Sequence, residues 1–170
     1  NVYAAGDVTG KIMLAHVARR QAEVAVGRKR KQTPLQRIAY NAIPSVVYTN
    51  PEIASIGMTE KDLNEIKEGD FAPSMSTEEP FVPYEVHKLP MTYSGRFVAE
   101  NEGETGLCKV IVDKRSKTIM GVHMIGNPCS EFVAAASFAV RMGYTVGEFK
   151  QVVFPHPTVG EVLREVIMEA

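Results

Sequence analysis

Residues 107–125 leave the chain little choice of local structure. Two runs rich in β-branched and apolar side chains, 107–113 and 118–125, flank Lys114-Arg115-Ser116-Lys117, a polar connection of hairpin length. An antiparallel pair follows. Ile111 and Val112 match Ile119, Val122 and Met124 in apolar character, which predicts a central place in a sheet. Residues 45–49 (SVVYT) and 53–57 (IASIG) are β-branched runs divided by Asn50-Pro51, and read as strand, turn, strand. Further strands are expected near 85–90 and 96–101. Residues 70–84 carry Pro73, Pro80 and Pro83 with few periodic apolar positions, and read as a loop.

Helical patterns surround these strands. From about Ile12, the residues Leu14, Ala15, Ala18, Ala22 and Ala25 recur three or four apart, marking one small apolar face. That helix is expected to end near Gly27, where the run Arg28-Lys29-Arg30-Lys31 suits the partly negative helix C-terminus. Residues 1–5 (NVYAA) read as a short buried strand ahead of it. Thr59 through Asp62 is a capping-box pattern opening a short helix to about Lys67, stopped by Gly69. Ser130 is placed to cap a helix with apolar positions Val133, Ala136, Phe138 and Val140, ended by Gly143. Thr145 with Glu148, and Thr158 with Glu161, repeat the capping pattern, the second opening a last helix with Val162, Val166 and Ile167. The expectation is an α+β domain from about residue 35 to 170: an antiparallel β-sheet with helices packed on one side. A strand-helix segment, residues 1–34, precedes it.

Composition removes several function classes. Nineteen basic residues against twenty acidic ones give a net charge of −1, so no long-range field selects nucleic acid or an anionic membrane. The basic run 28–31 has no interleaved aromatic residues and reads as a solvated helix end. No window is long and apolar enough to span a bilayer. There is no basic, cleavable leader, and no initiating Met, which suggests a chain cut from something longer. Cys108 and Cys129 match no CxxC or metal spacing, so a reducing, cytoplasmic compartment is expected. His87 and His123 sit in strand patterns without a second ligand at metal spacing, so no metal site is expected.

His156 is the residue with the most chemical promise. It lies in Phe154-Pro155-His156-Pro157, which is extended because a residue before proline avoids the helical region. Prolines on both sides stiffen the backbone under an imidazole that titrates near neutrality. A capping-box glutamate at position 161 bends back over the helix start, within reach of that ring. It would fix the tautomer and leave one nitrogen free for proton transfer from a thiol or hydroxyl. The same residues are also explained by helix capping alone. Asp7, in Ala5-Gly6-Asp7, ends a strand pattern where a carboxylate can hold a ribose or ribitol hydroxyl, or can simply cap the next helix. Met13-Leu14-Ala15-His16 opens that helix, whose first N–H groups suit anionic ligand atoms; His16 by itself reads as a surface or packing residue.

Taken in order, these segments resemble the C-terminal part of flavin-dependent disulfide reductases. Asn1-Val2-Tyr3-Ala4-Ala5-Gly6-Asp7-Val8 followed by Met13-Leu14-Ala15-His16 is similar to the end of their FAD-binding region. Val47-Tyr48-Thr49-Asn50-Pro51-Glu52-Ile53-Ala54-Ser55-Ile56-Gly57-Met58-Thr59-Glu60 resembles the opening of their dimerisation domain. Gly121-Val122-His123-Met124-Ile125-Gly126 and His156-Pro157-Thr158-Val159-Gly160-Glu161 match later segments. Within the family, the chain looks most like dihydrolipoamide dehydrogenase, with glutathione reductase as the nearest rival. Phe154-Pro155 departs from the histidine and alanine that dihydrolipoamide dehydrogenases carry there.

The resemblance implies roles at the matching positions. His156 would be the acid–base for a dithiol substrate and Glu161 would orient it, delivered to the partner subunit's site in a homodimer. Asp7 would bind the FAD ribitol, and Met13, Leu14, Ala15 and His16 would meet the flavin ring. The His156–Pro157 peptide would be cis. The parent enzyme would pass electrons from a dihydrolipoyl-carrying protein or small dithiol through FAD to NAD. This sequence contains neither G-x-G-x-x-G nor C-x-x-x-x-C, so no turnover is expected from it alone. The competing expectation is a stand-alone dimerisation or interaction module without chemistry.

Overall fold

The polar connection at 114–117 closes a hairpin between β4 (Leu107–Asp113) and β5 (Ile119–Ile125), with Cys108 opposite Met124 and Val110 opposite Val122. Asp113 holds the turn: its Oδ1 accepts the backbone N–H groups of Arg115 and Ser116 at 2.8 and 2.7 Å. Three more strands complete the sheet, β1 (Ser45–Val47), β2 (Ile53–Gly57) and β3 (Tyr84–Pro90). The spatial order is β1-β2-β5-β4-β3, antiparallel throughout, so β5 lies at the centre. The computed structural model describes residues 2–31, 37–65 and 83–170. The described chain divides into two units, Asn1–Ile43 and Pro44–Ala170, the sheet lying wholly in the second.

Register decides which side chains share a face. Ala54 and Ile56 of β2 stand opposite Met124 and Val122 of β5, which stand opposite Cys108 and Val110 of β4. All six are buried in one core. The helices α4 (Cys129–Met142) and α6 (Glu161–Met168) cover this face, α4 against β2 and β5, α6 against β3 and β4. Between them runs α5 (Val146–Phe149), opened by a complete capping box of Thr145 and Glu148. Each fully buried aliphatic or aromatic side chain stabilises the fold by about 1.5–3 kcal/mol. The opposite face carries Ser55, His123, Lys109 and Ile111. Over it sits α2 (Glu60–Glu65), whose Glu60 carboxylate meets Lys109 Nζ at 2.9 Å. That ammonium holds the Glu60 carboxyl below its ordinary value.

Two glycines let the chain leaving β2 pass close to β5. Met58 N–H donates to the Met120 carbonyl at 3.0 Å. A Cβ on Gly57 would lie 2.2 Å from the Met120 oxygen, on a backbone with φ +77°. One on Gly121 would lie 2.2 Å from the Met58 oxygen.

Several sequence expectations need correction. Residues 96–101, read as a strand, form the helix α3 (Gly95–Glu100) instead. Ser94 caps it by accepting Phe97 N–H, Arg96 pairs with Glu100 one turn on, and Phe97 is buried. Phe138 is 70% exposed, and Ala139 takes the buried position. Ser130 does not cap α4: the helix begins at Cys129, and the Ser130 N–H donates to the Glu52 carboxylate at 2.9 Å. Thr59 and Asp62 do form the expected box, while the predicted helix end at 67–69 and most of the 70–84 loop lie outside the described residues.

In the first unit α1 spans Ala15–Lys29, after a 3-10 turn at Asp7–Thr9. Its buried positions are Val17, Gln21, Val24 and Gly27, not the predicted alanine stripe. The valines bury more apolar area than alanines, and Gln21 satisfies its amide fully. It accepts Gly6 N–H at 2.6 Å and donates to Thr9 Oγ1 and Tyr40 Oη, each at 3.2 Å. Residues 2–5 are not a strand, because a strand is defined by its ladder and this unit has no described strand to pair with.

Candidate functional site

The segment 154–161 places His156 and Glu161 together. The His156–Pro157 peptide is cis, as the resemblance implied. Glu161 is the first residue of α6, and Gly160 at the N-cap has no side chain to serve the helix start. The Glu161 carboxylate turns back and divides its two oxygens. Oε2 accepts the Thr158 N–H at 2.7 Å, and Oε1 lies 2.9 Å from His156 Nδ1. The Thr158 N–H first, then His156, hold the Glu161 carboxyl below its ordinary value of 4.5. The acid is therefore an anion at neutral pH. An anion only accepts hydrogen bonds, so it selects the His156 tautomer with the proton on Nδ1. Nε2 is left with its lone pair, on a side chain that is 81% exposed.

Thr158 behaves differently from a helix cap. Its hydroxyl donates to the Pro155 carbonyl at 2.9 Å instead of accepting from the helix. Its carbonyl accepts the Ser94 hydroxyl at 2.9 Å. The expected reciprocal box is thus half present: the acid reaches back, the threonine braces the loop. The bond between Ser94 and Thr158 escapes a sequence reading because nothing in residues 91–97 signals contact with a segment 64 residues away.

The second group of candidates lies in the other unit. Asp7 is exposed and begins the 3-10 turn that Gly10 closes with φ +66°. Met13 is exposed, Leu14 is the N-cap of α1 without a side-chain hydrogen bond, and Ala15 and His16 are the first helical residues. Asp7 offers an exposed carboxylate, and the start of α1 is left without a side-chain cap.

His123 and the two cysteines have structural explanations, whereas the buried His87 Nε2 has no hydrogen-bond partner among the described residues, with Glu85 3.8 Å away. His123 accepts from or donates to Ser55 Oγ at 2.6 Å through Nδ1, and lies 3.0 Å from the Met58 carbonyl through Nε2. The carbonyl can only accept, so Nε2 carries the proton and Ser55 donates to Nδ1. Both cysteines are free and buried; burial pushes the Cys108 thiol up to about 12 and Cys129 to about 11. Neither is a thiolate at neutral pH. Among the described residues no cluster of His, Cys, Asp or Glu is arranged for a metal, and no helix is long and apolar enough to cross a membrane.

Residues 43–167 match the family model described as pyridine nucleotide-disulphide oxidoreductase, dimerisation domain. The chain is 32% identical over 173 residues to a dihydrolipoyl dehydrogenase of Mycoplasma pneumoniae, covering 100% of this chain and 34% of that protein. It is 35% identical over 170 residues to the mitochondrial dihydrolipoyl dehydrogenase of Caenorhabditis elegans, covering 100% of this chain and 31% of that protein. Among solved structures, LpdA from Mycobacterium tuberculosis superposes with a TM-score of 0.83 at 23% identity, over 98% of this chain and 33% of that one. The HOCl-induced flavoprotein disulfide reductase RclA from Escherichia coli gives 0.77 at 19% identity, over 99% of this chain and 35% of that one. The chain thus spans about a third of the length of the curated relatives it matches. With the antiparallel sheet, its covering helices and the family match in agreement, the chain belongs to the dimerisation-domain family of the pyridine nucleotide-disulphide oxidoreductases.

Proposed function

We propose that this domain supplies the acid–base group of a dihydrolipoyl dehydrogenase-like flavoenzyme. The observation that carries the reading is the 2.9 Å contact between His156 Nδ1 and Glu161 Oε1 beneath an otherwise exposed imidazole. Nε2 takes the proton from a substrate thiol, which becomes a thiolate able to attack a disulfide. Glu161 stabilises the imidazolium so formed, and the proton returns to the leaving thiolate. The two carboxylate oxygens do separate work, one on the ring and one on the Thr158 N–H, so the ring is held against the same backbone that positions it.

The rest of the proposal follows the family. Residues 1–34 are the tail of an FAD-binding domain and 35–170 the dimerisation domain, which delivers His156 to the partner subunit's site in a homodimer. Asp7 would hold the FAD ribitol, and Met13, Leu14, Ala15 and His16 would lie along the ring edge. When bound, FAD supplies two-electron transfer between the dithiol couple and NAD. The substrate class is a dihydrolipoyl-carrying protein or small dithiol, in a reducing, cytoplasmic setting. Residues 1–170 alone have no turnover, because the nucleotide cradles and the redox cysteine pair are not in this sequence.

The test is His156→Ala in the flavin-loaded enzyme that carries this domain. FAD content stays normal, and dithiol oxidation slows by about 10²- to 10⁴-fold, the usual contribution of a general acid–base group. Near-normal dithiol turnover would remove His156 from the chemistry and leave the second reading, in which Glu161 serves the Thr158 N–H as a helix cap and nothing more.

A further inference from the structure

We propose that Ser94 is a positioning residue for the His156–Glu161 pair: its buried hydroxyl ties the Thr158 carbonyl to α3 and so fixes the loop from which the imidazole projects. The inference rests on the proton-transfer role proposed above.

The exposed imidazole has one described side-chain partner, Glu161, so its direction is set by the rigidity of residues 155–161. Thr158 is the centre of that rigidity. Its hydroxyl holds the carbonyl of Pro155, the residue before His156, and its N–H holds the carboxylate that holds the ring. Both contacts stay inside the loop. The Thr158 carbonyl is the polar group that leads out of it, to Ser94 Oγ at 2.9 Å. The Ser94 hydroxyl has no freedom to choose another partner. It already accepts Phe97 N–H at 3.2 Å, so its own proton is directed at Thr158.

The surroundings make this bond count. Ser94 is 2% exposed, one of three buried polar residues among those described. A hydroxyl buried that deeply is costly unless both its donor and acceptor are used. Helix capping uses only the acceptor. Beside the loop, an open groove of about 350 Å³ is lined by Arg96 and Glu100 of α3, by Phe132 and by Pro157 and Thr158 of the loop, so that side of the loop faces solvent-accessible space. The other fixed points are the buried Val159 and Gly160, where Phe132 approaches. Val159 shares the peptide unit of the Thr158 carbonyl, and the Glu161 N–H reaches the same carbonyl at a longer 3.4 Å, so Ser94 adds a tie from outside residues 155–161.

The test uses the flavin-loaded enzyme and three variants. Ser94→Ala removes both hydrogen bonds. Ser94→Gly also removes both but costs the α3 cap far less, and so gives an answer if the alanine variant folds poorly. Ser94→Thr keeps donor and acceptor. Two rates are followed: dithiol oxidation, and NADH-dependent reduction of ferricyanide, which needs no proton exchange with a dithiol. The expected result is a loss of about tenfold to a hundredfold in dithiol kcat for the alanine and glycine variants, the size produced by a reactive group displaced by about 1 Å. The ferricyanide rate is unchanged, and threonine restores the dithiol rate. If both rates fall together, or if the dithiol rate stays within about twofold of wild type, well below that range, Ser94 is a helix cap only. His156→Ala run alongside separates the two ideas. A slow His156 variant with a normal Ser94→Gly overturns the Ser94 inference alone; a normal His156 variant overturns the proton-transfer reading itself.

Discussion

The carboxylate of Glu52, on the turn between β1 and β2, accepts the backbone N–H of Ser130 in the first turn of α4 at 2.9 Å, across 78 residues of sequence. Pro128 at the N-cap offers no side-chain acceptor, and the neighbouring Cys129 and Glu131 N–H groups donate to the Gly126 and Pro128 carbonyls at 2.9 and 3.0 Å, which leaves the Ser130 N–H to Glu52. The Glu52 N–H is in turn received by Asn127 Oδ1 at 2.8 Å, so the two turns are fastened to each other in both directions. Glu52→Ala is expected to lose about 1 kcal/mol, the usual worth of an N-terminal cap. Denaturant unfolding measures it. An unchanged midpoint would mean that water replaces the carboxylate without loss.

Gly121→Ala probes the close pass of the chain over β5. The new methyl would meet the Met58 carbonyl at 2.2 Å, which is backbone and cannot turn aside. The strand junction must shift, at a cost of about 1–3 kcal/mol, typical of overpacking. Gly57→Ala adds a left-handed φ of +77° to a similar clash and is expected to be the worse of the two. Thermal unfolding of both variants gives the ranking directly.

Acid sensitivity is expected from His123. Burial, the largest influence, lowers its pKa below the ordinary 6.5, so the folded state binds this proton less readily than the unfolded chain does. The stability it permits is complete above about pH 6.5 and is lost as the pH falls from there through the folded-state value. Stability measured against pH should slope downward below that point. His123→Gln, which cannot take up a proton, should flatten the slope; an identical slope would place the sensitivity in another group.

Much of this architecture is written locally, and the failures share a cause. The 107–125 hairpin is legible because two apolar, β-branched runs flank a polar turn, and the helix ends at Gly143 and Thr145 are legible because caps act on neighbours. Residues 96–101 read as a strand because Phe97 and Val98 favour strands in isolation, while the burial of Phe97 that decides for a helix is tertiary. The α1 stripe failed likewise, since Gln21 is buried for partners at Gly6, Thr9 and Tyr40. At the candidate site, His156 and Glu161 could be paired from spacing. The divided use of the Glu161 oxygens and the tie to Ser94 depend on three-dimensional approach and left no mark in the local pattern.

Glu161→Gln keeps the shape of the acid and removes its charge. The amide no longer favours an imidazolium, so the His156 Nε2 becomes a weaker base. Dithiol turnover of the flavin-loaded enzyme is expected to fall by about tenfold to a hundredfold, at or below the range for losing the base outright. Dithiol turnover matching wild type would separate Glu161 from the proton transfer.

Val153, 91% exposed and three residues before His156, is the apolar side chain best placed to report on association. If the loop crosses to a second subunit, Val153 is covered there. Val153→Asp should shift sedimentation at micromolar concentration from dimer toward monomer. A wild-type profile that is monomeric would count against the proposed delivery of His156.

The order β1-β2-β5-β4-β3 also sets a timetable for biosynthesis. β2 has β1 on one side only, and a lone two-stranded ribbon is marginal in water. Its other neighbour, with Ile53 opposite Ile125, is made about seventy residues later, and its covering helix α4 later still. A ribosome must therefore expose residues 45–57 for most of the domain's synthesis before they find shelter. Nascent chains halted before residue 119 should stay sensitive to protease across this stretch, and those extended past α4 should become resistant there.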